Sequence, residues 1–180
     1  STMLASVLQK YLDTEPIHMS TAEDPVEYRL FDGVGEVSQR EIPDDTPDFA
    51  TAVKNVLRED PDIIFIGEMR DPETAKTALT AAETGHLVFA TVHASGIGGI
   101  IDRLYGMLDG VPDAALRMSE ASLGGVYLLL QRDGTKAIRR TFFLWTDAAG
   151  EVRTRIREKR VHEMDEMDEE ILARDKDAGE

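Results

Sequence analysis

The chain contains no cysteine, which excludes a disulfide scaffold and a zinc-thiolate site and suits a reducing compartment. Basic residues are also scarce: 20 Lys and Arg stand against 35 Asp and Glu, for a formal charge of -15. A surface of that sign repels a polyanion, so nucleic acid is a disfavoured partner unless a local basic patch outweighs the whole. Long apolar runs are missing too. No stretch approaches the ~20 residues of a bilayer-spanning helix, and no basic-then-apolar signal segment opens the chain. Part of the negative charge is local, because residues 161–180 carry 9 acidic and 2 basic residues, leaving 26 and 18 for residues 1–160.

What is present suffices for a core. With 42% apolar residues over 180 positions, the chain can build one compact domain with a small appendage. We read residues 1–160 as the body and 161–180 as an acidic helical or disordered tail.

The most informative stretch is Asp60-Pro61-Asp62-Ile63-Ile64-Phe65-Ile66-Gly67-Glu68-Met69-Arg70-Asp71. Its four consecutive apolar residues predict a strand buried on both faces, as in a parallel sheet covered by helices. Ligands bind beyond the carboxyl ends of such strands, which makes Glu68 and its neighbours functional candidates. Ordinary loop charges would look the same.

Leu4, Val7, Leu8, Tyr11 and Leu12 predict a helix over 2–12, and its position at the start of the chain suggests a piece of a longer protein. Residues 17–21 predict a strand ending at the acidic cluster Glu23, Asp24 and Glu27. Residues 28–47, with Gly33, Gly35, Pro43 and Pro47, predict a long connection with one extended piece at Val37–Arg40, of a kind more often functional than filler. The stripe of Phe49, Ala52, Val53, Val56 and Leu57 predicts a helix capped by Thr46 or Asp48. Asp71 as N-cap, Pro72 at the first helical position and Gly85 as C-terminal stop delimit another. A strand over 87–92 ends at His93. Helix alternating with buried strand is the rhythm of a doubly wound α/β sheet.

Further on, Gly98 and Gly99 introduce a helix from Ile100 to Leu108, and Pro112 starts one reaching about Leu130, although Val126–Leu130 also suits a strand. Residues 137–145 predict a strand and 147–150 a turn. Val152, Thr154 and Ile156 alternate with charged residues, the pattern of a hairpin partner.

Three strand ends, carrying Glu23/Asp24/Glu27, Glu68 and His93, would converge on one sheet edge. Carboxylates can hold Mg²⁺ through water or orient a nucleophilic water, and an imidazole can sense a phosphate. That set suits phosphoanhydride hydrolysis, and equally generic acid-base chemistry.

Residues 20–27, Ser-Thr-Ala-Glu-Asp-Pro-Val-Glu, resemble the acidic "Asp box" of the secretion and pilus traffic ATPases. Residues 57–71, ending Ile-Gly-Glu-Met-Arg-Asp, resemble that superfamily's Walker B segment. Residues 80–86, Thr-Ala-Ala-Glu-Thr-Gly-His, continue the likeness, and Thr91-Val92-His93-Ala94-Ser95 resembles its "His box". The resemblance runs in unbroken order to about residue 125 and weakens after about 123; no tetracysteine module is present. It implies a RecA-like P-loop NTPase domain of three αβα layers, truncated at its N-terminus, with a C-terminal hairpin and helical tail.

The resemblance further implies ATP and Mg²⁺ as cofactors. Glu68 is the counterpart of the glutamate that polarises the attacking water and helps order Mg²⁺; Glu23 shares that task, supported by Asp24 and Glu27. His93 resembles the γ-phosphate sensor. Arg70 and Asp71 belong to the strand-to-helix support, and Arg40 falls near a subunit boundary. Ser1 and Thr2 align with the last two residues of Walker A, Ser1 as a Mg²⁺ ligand. The glycines and lysine that cradle the phosphates are absent from these residues, so the chain alone is expected to be inactive. The parent would be a homo-oligomer, a hexamer, working from the cytoplasm at the inner membrane with secretion, conjugation or pilus proteins. A non-catalytic module of the same fold and a DNA-translocating ATPase are the alternatives; charge and the lack of basic, aromatic-interleaved stretches disfavour the second.

Overall fold

The computed structural model describes residues 2–133, 135–144, 149–160 and 162–164. The chain divides into two compact units, Ser1–Val92 and His93–Glu180.

In the first unit a four-stranded sheet has the order β2-β1-β3-β4, with every pair parallel. Its strands are β1 (His18–Glu23), β2 (Glu36–Glu41), β3 (Ile63–Ile66) and β4 (Leu87–Ala90). β3 is the doubly buried strand expected: its four side chains are all buried, with Ile63 and Phe65 on one face and Ile64 and Ile66 on the other. Helix α1 (Thr2–Thr14) covers the first face. Its Leu8 and Leu12 are fully buried and join Met19, Leu30, Ile63 and Phe65 in one cluster, with Val37, Leu87 and Phe89 at its margin. Each such leucine contributes roughly 1.5–3 kcal/mol relative to an exposed one. The other face is covered by α2 (Phe49–Val56) and α3 (Pro72–Glu83), which Lys54 and Glu73 join at 2.5 Å. Helices on both faces of a parallel sheet form the three αβα layers.

Local chemistry sets the helix ends. Asp48 accepts a hydrogen bond from the Thr51 amide at 2.7 Å and is the α2 cap; Thr46 is buried and its hydroxyl has no partner. Asp71 accepts from the Thr74 amide at 2.9 Å and from its hydroxyl at 2.6 Å, with Pro72 next, as expected of an α3 start. Gly85, at φ +103°, lies where only glycine turns the chain freely. β4 is half-buried throughout, since it is an edge of the described sheet.

The piece expected as Val37–Arg40 is a full strand, β2, in register with the whole of β1. Residues 24–35, which connect the two, have no regular structure but are pinned to α1. Gln9 exchanges two 3.0 Å hydrogen bonds with the Phe31 backbone, and the Gly35 amide donates to the Leu12 carbonyl at 2.9 Å.

In the second unit α4 (Ile97–Met107) starts three residues earlier than expected and takes in both glycines. The long helix predicted from Pro112 is only α5 (Ala114–Ala121); Gly124–Asp133 is strand β5, antiparallel to β6 (Thr135–Leu144). The hairpin partner predicted over 152–156 is instead helix α6 (Ala149–Arg157), packed on α5. Val152 and Ile156 are buried one helical turn apart. The Tyr105 hydroxyl donates to the Ile156 carbonyl, and burial, with Asp102 nearby, pushes its pKa up to about 12. Trp145 and the turn expected at 147–148 lie outside the described residues, as does the tail from 165 onward.

Candidate functional site

Adjacent parallel strands bring Glu23 and Glu68 to one end of the sheet. Ala22 pairs with Ile66 in register, so the chain leaves β1 at Glu23 and β3 at Gly67 side by side. The Gly67 amide donates to the Ala22 carbonyl at 2.7 Å. A Cβ at residue 67 would lie 3.1 Å from Glu23 Cα and 3.4 Å from its Cγ. Glycine at this position therefore lets the backbone preceding Glu68 rest directly on Glu23.

The two carboxylates are held differently. Glu23 is buried, and its Oε1 accepts from the Thr21 hydroxyl at 2.7 Å and from Gln39 Nε2 at 3.0 Å. Thr21 reaches it because residues two apart on a strand share a face. Gln39 reaches it because it stands opposite Thr21 in the β1-β2 register. Glu68 instead forms an ion pair with Arg70 at 2.5 Å, and Arg70 also lies 3.7 Å from Asp24. The hydrogen bond to Glu68, that carboxylate's charge and the charge of Asp24 hold the guanidinium pKa above its usual value. The turn after β3 is fixed by Thr91, whose hydroxyl donates to the Gly67 carbonyl and whose own carbonyl accepts from the Met69 amide at 2.9 Å.

Among the other candidates, Thr2 Oγ1 is 2.7 Å from the Tyr28 hydroxyl. Asp24 and Glu27 are exposed in the turn after β1, where the Val26 amide donates to Glu41 at 2.8 Å. Arg40 is on the opposite face of the sheet from Glu23, since β2 alternates; its Nη2 donates to both Glu59 oxygens at 2.8 Å. Arg40 is thereby tied to Glu59, three residues beyond α2, on the face away from Glu23. His93, three residues past β4, is the first residue of the second unit. His86 contacts the Ala81 carbonyl at 3.0 Å, an attachment to the end of α3. Ser1 lies outside the described residues.

Sequence reasoning missed Thr21 and Gln39. Period-two alternation back from Glu23 points to Thr21, but a lone glutamine in an extended segment gives no motif to find. Among the described residues no group of three or more His, Asp or Glu could hold a metal ion. Among the described residues, the side-chain donors to the buried Glu23 are both neutral, the Thr21 hydroxyl and the Gln39 amide.

Comparison with known proteins identifies the family and the fold. The family described as "Type II/IV secretion system protein" matches residues 1–170. A twitching motility protein of Neisseria gonorrhoeae is 39% identical over 171 residues, 93% of this chain and 45% of that protein. The type IV pilus retraction ATPase PilT of Pseudomonas aeruginosa is 40% identical over 168 residues, 91% of this chain and 48% of that one. A crystal structure of the pilus retraction motor PilT with bound ADP superposes with a TM-score of 0.79 at 37% identity, over 91% of this chain and 48% of that one. The chain thus spans about half the length of the relatives it matches, and its α/β architecture is that of the RecA-like secretion and pilus ATPases. The chain belongs to the type II/IV secretion system protein family.

Proposed function

We propose that these residues form the hydrolytic part of an ATP-driven motor that works on a pilus, secretion or conjugation machine. The observation that carries the reading is the close seating of Gly67 on Glu23, which sets Glu68 and Glu23 at neighbouring strand ends. Glu68 polarises the attacking water, with Arg70 holding its carboxylate in place. Glu23 would present a fixed carboxylate oxygen to water around a bound magnesium, and Asp24 and Glu27 add acidic side chains at the rim. Thr2 contributes to phosphate binding, Ser1 serves as a magnesium ligand as the family resemblance implies, and His93 responds to the γ-phosphate. Magnesium, when bound, supplies the charge that polarises the phosphoryl oxygens.

The domain reading, 1–160 as motor domain and 161–180 as an acidic tail, belongs to the same proposal. So do a hexamer as the working assembly, inner-membrane machinery proteins as partners and the cytoplasmic membrane face as the location. No described helix is long and apolar enough to cross a membrane. A charge of -15 favours protein partners over nucleic acid. These 180 residues contain no Gly-rich loop ending in Gly-Lys, and without that cradle the isolated chain does not turn over ATP appreciably.

The test is magnesium-dependent ATP hydrolysis by the full-length protein and by the isolated chain. Glu68→Gln in the full-length protein is expected to lower kcat by at least ~100-fold, the range of lost general acid–base catalysis. Hydrolysis unaffected by Glu68→Gln would refute the reading. Robust turnover by the isolated chain would refute its inactivity alone.

A further inference from the structure

We propose that Gln39 is the positioning residue for Glu23, acting through it and also holding the loop that reaches Thr2; the proposal rests on Glu23 belonging to the nucleotide site. Every polar function of the Gln39 amide is engaged. Its Nε2 donates to Glu23 Oε1 and to the Tyr28 carbonyl, each at 3.0 Å, and its Oε1 accepts from the Leu30 amide at 2.8 Å. Rotating the amide by half a turn would set oxygen against a carboxylate and a carbonyl, and N–H against N–H. The three partners therefore permit one orientation.

That orientation matters because, among the described residues, Glu23 is held by neutral donors and by no cationic side chain. Gln39 and the Thr21 hydroxyl both bond to Oε1, so they fix the carboxylate plane while Oε2 takes neither bond. Neutral donors orient a buried carboxylate without cancelling its charge, which leaves that charge for a ligand's cation. Glu68, ion-paired with Arg70, is the contrasting case. The second hydrogen of the same amide holds Tyr28, whose hydroxyl meets Thr2 at 2.7 Å. A single side chain on β2 thus ties the Glu23 carboxylate to the segment that touches the start of α1.

The experiment measures steady-state ATP hydrolysis with Mg²⁺ by the full-length protein carrying Gln39→Leu, Gln39→Glu or Glu23→Gln. Gln39→Leu is expected to lower kcat by about 10–100-fold, as loss of such an orienting partner does, and to change KM for ATP by less than about threefold. Gln39→Glu sets two carboxylates together, so its activity is low at pH 8. It recovers relative to the wild type as the pH falls and the introduced carboxyl takes a proton that it can donate. An inactive Glu23→Gln beside a Gln39→Leu of unchanged kcat overturns this inference alone. A fully active Glu23→Gln overturns the underlying reading of the site. If Gln39→Leu does not fold, the Gln39→Glu profile decides, and a profile parallel to the wild type overturns the proposal.

Discussion

Replacing Gly67 by alanine tests whether the packing between β1 and β3 sets the site. The added Cβ would lie 3.1 Å from Glu23 Cα and 3.2 Å from the Ala22 carbonyl oxygen. Both are backbone atoms, so no rotamer change relieves the contact. The strands must part by a few tenths of an ångström, against the 2.7 Å hydrogen bond between the Gly67 amide and that same carbonyl. Overpacking of this kind costs about 1–3 kcal/mol, read as a lower urea midpoint at unchanged slope. Because the displaced atoms carry Glu23 and lead into Glu68, catalysis should suffer beyond the loss of folded protein. A 1 Å misplacement costs about 100-fold, so a shift of a few tenths should cost several-fold to about 10-fold in kcat. Gly85→Ala is the matched control. At φ +103° an added methyl group meets nothing within 4 Å but strains the backbone, a cost of roughly 1–2 kcal/mol far from the carboxylates. Equal destabilisation with kcat lost only in Gly67→Ala is the expected result. A Gly67→Ala protein that is destabilised yet keeps kcat within twofold of the wild type would show that the strand spacing does not set the site.

Two further predictions concern stability. Asp71→Ala removes the α3 cap, about 1 kcal/mol, and orphans the fully buried Thr74 hydroxyl, about 1–3 kcal/mol more; the melting temperature should fall by on the order of 10 °C while Asp71→Asn retains most of it, and a change under about 2 °C would contradict the cap. The Tyr105 pKa is pushed up to about 12 from 10.0, so the folded state keeps a proton that the unfolded chain releases first. That contribution is present below pH 10 and lost as the pH rises towards 12. Denaturation followed from pH 9 to 12 should show the decline in the wild type and a smaller one in Tyr105→Phe; identical declines would refute it.

Much of the first unit was legible because independent signals agreed there. At Asp71 and Pro72 an N-cap and a first-turn proline coincide, and at Ile63–Ile66 an apolar run is bounded by charges, so helix and strand had no rival reading. The second unit misled where two periodicities coincide. Val152 and Ile156 fit alternation through Thr154, but residues four apart also share a helical face, and tertiary burial chose the helix. The Gly124–Asp133 strand was ambiguous for a related reason: a short apolar run satisfies either period, and its pairing with β6 is a non-local fact. At the candidate site, Glu68 was legible as a residue following a strand and Glu23 as part of an acidic cluster at a strand end, although β1 runs two residues further than expected and takes in Glu23. Gln39 was not, since its meaning depends on standing opposite Thr21 across a register that no local pattern specifies. Arg40, one position along, stands on the other face, and that too follows from the same register.

The crossover of residues 24–35 has a consequence for how such a chain can diverge. A segment without helix or strand normally tolerates insertions and deletions. This one is fastened at Val26 to Glu41, at Tyr28 to Thr2, at Leu30 to Gln39, at Phe31 to Gln9 and at Gly35 to Leu12. Adding or removing a residue between any two fastenings would put the next one out of reach. Length changes belong instead in open turns such as those at Gly85 and Gly110, where an added methyl group meets nothing within 4 Å. The crossover can therefore change its side chains and still must keep its length, behaving in this respect like a strand.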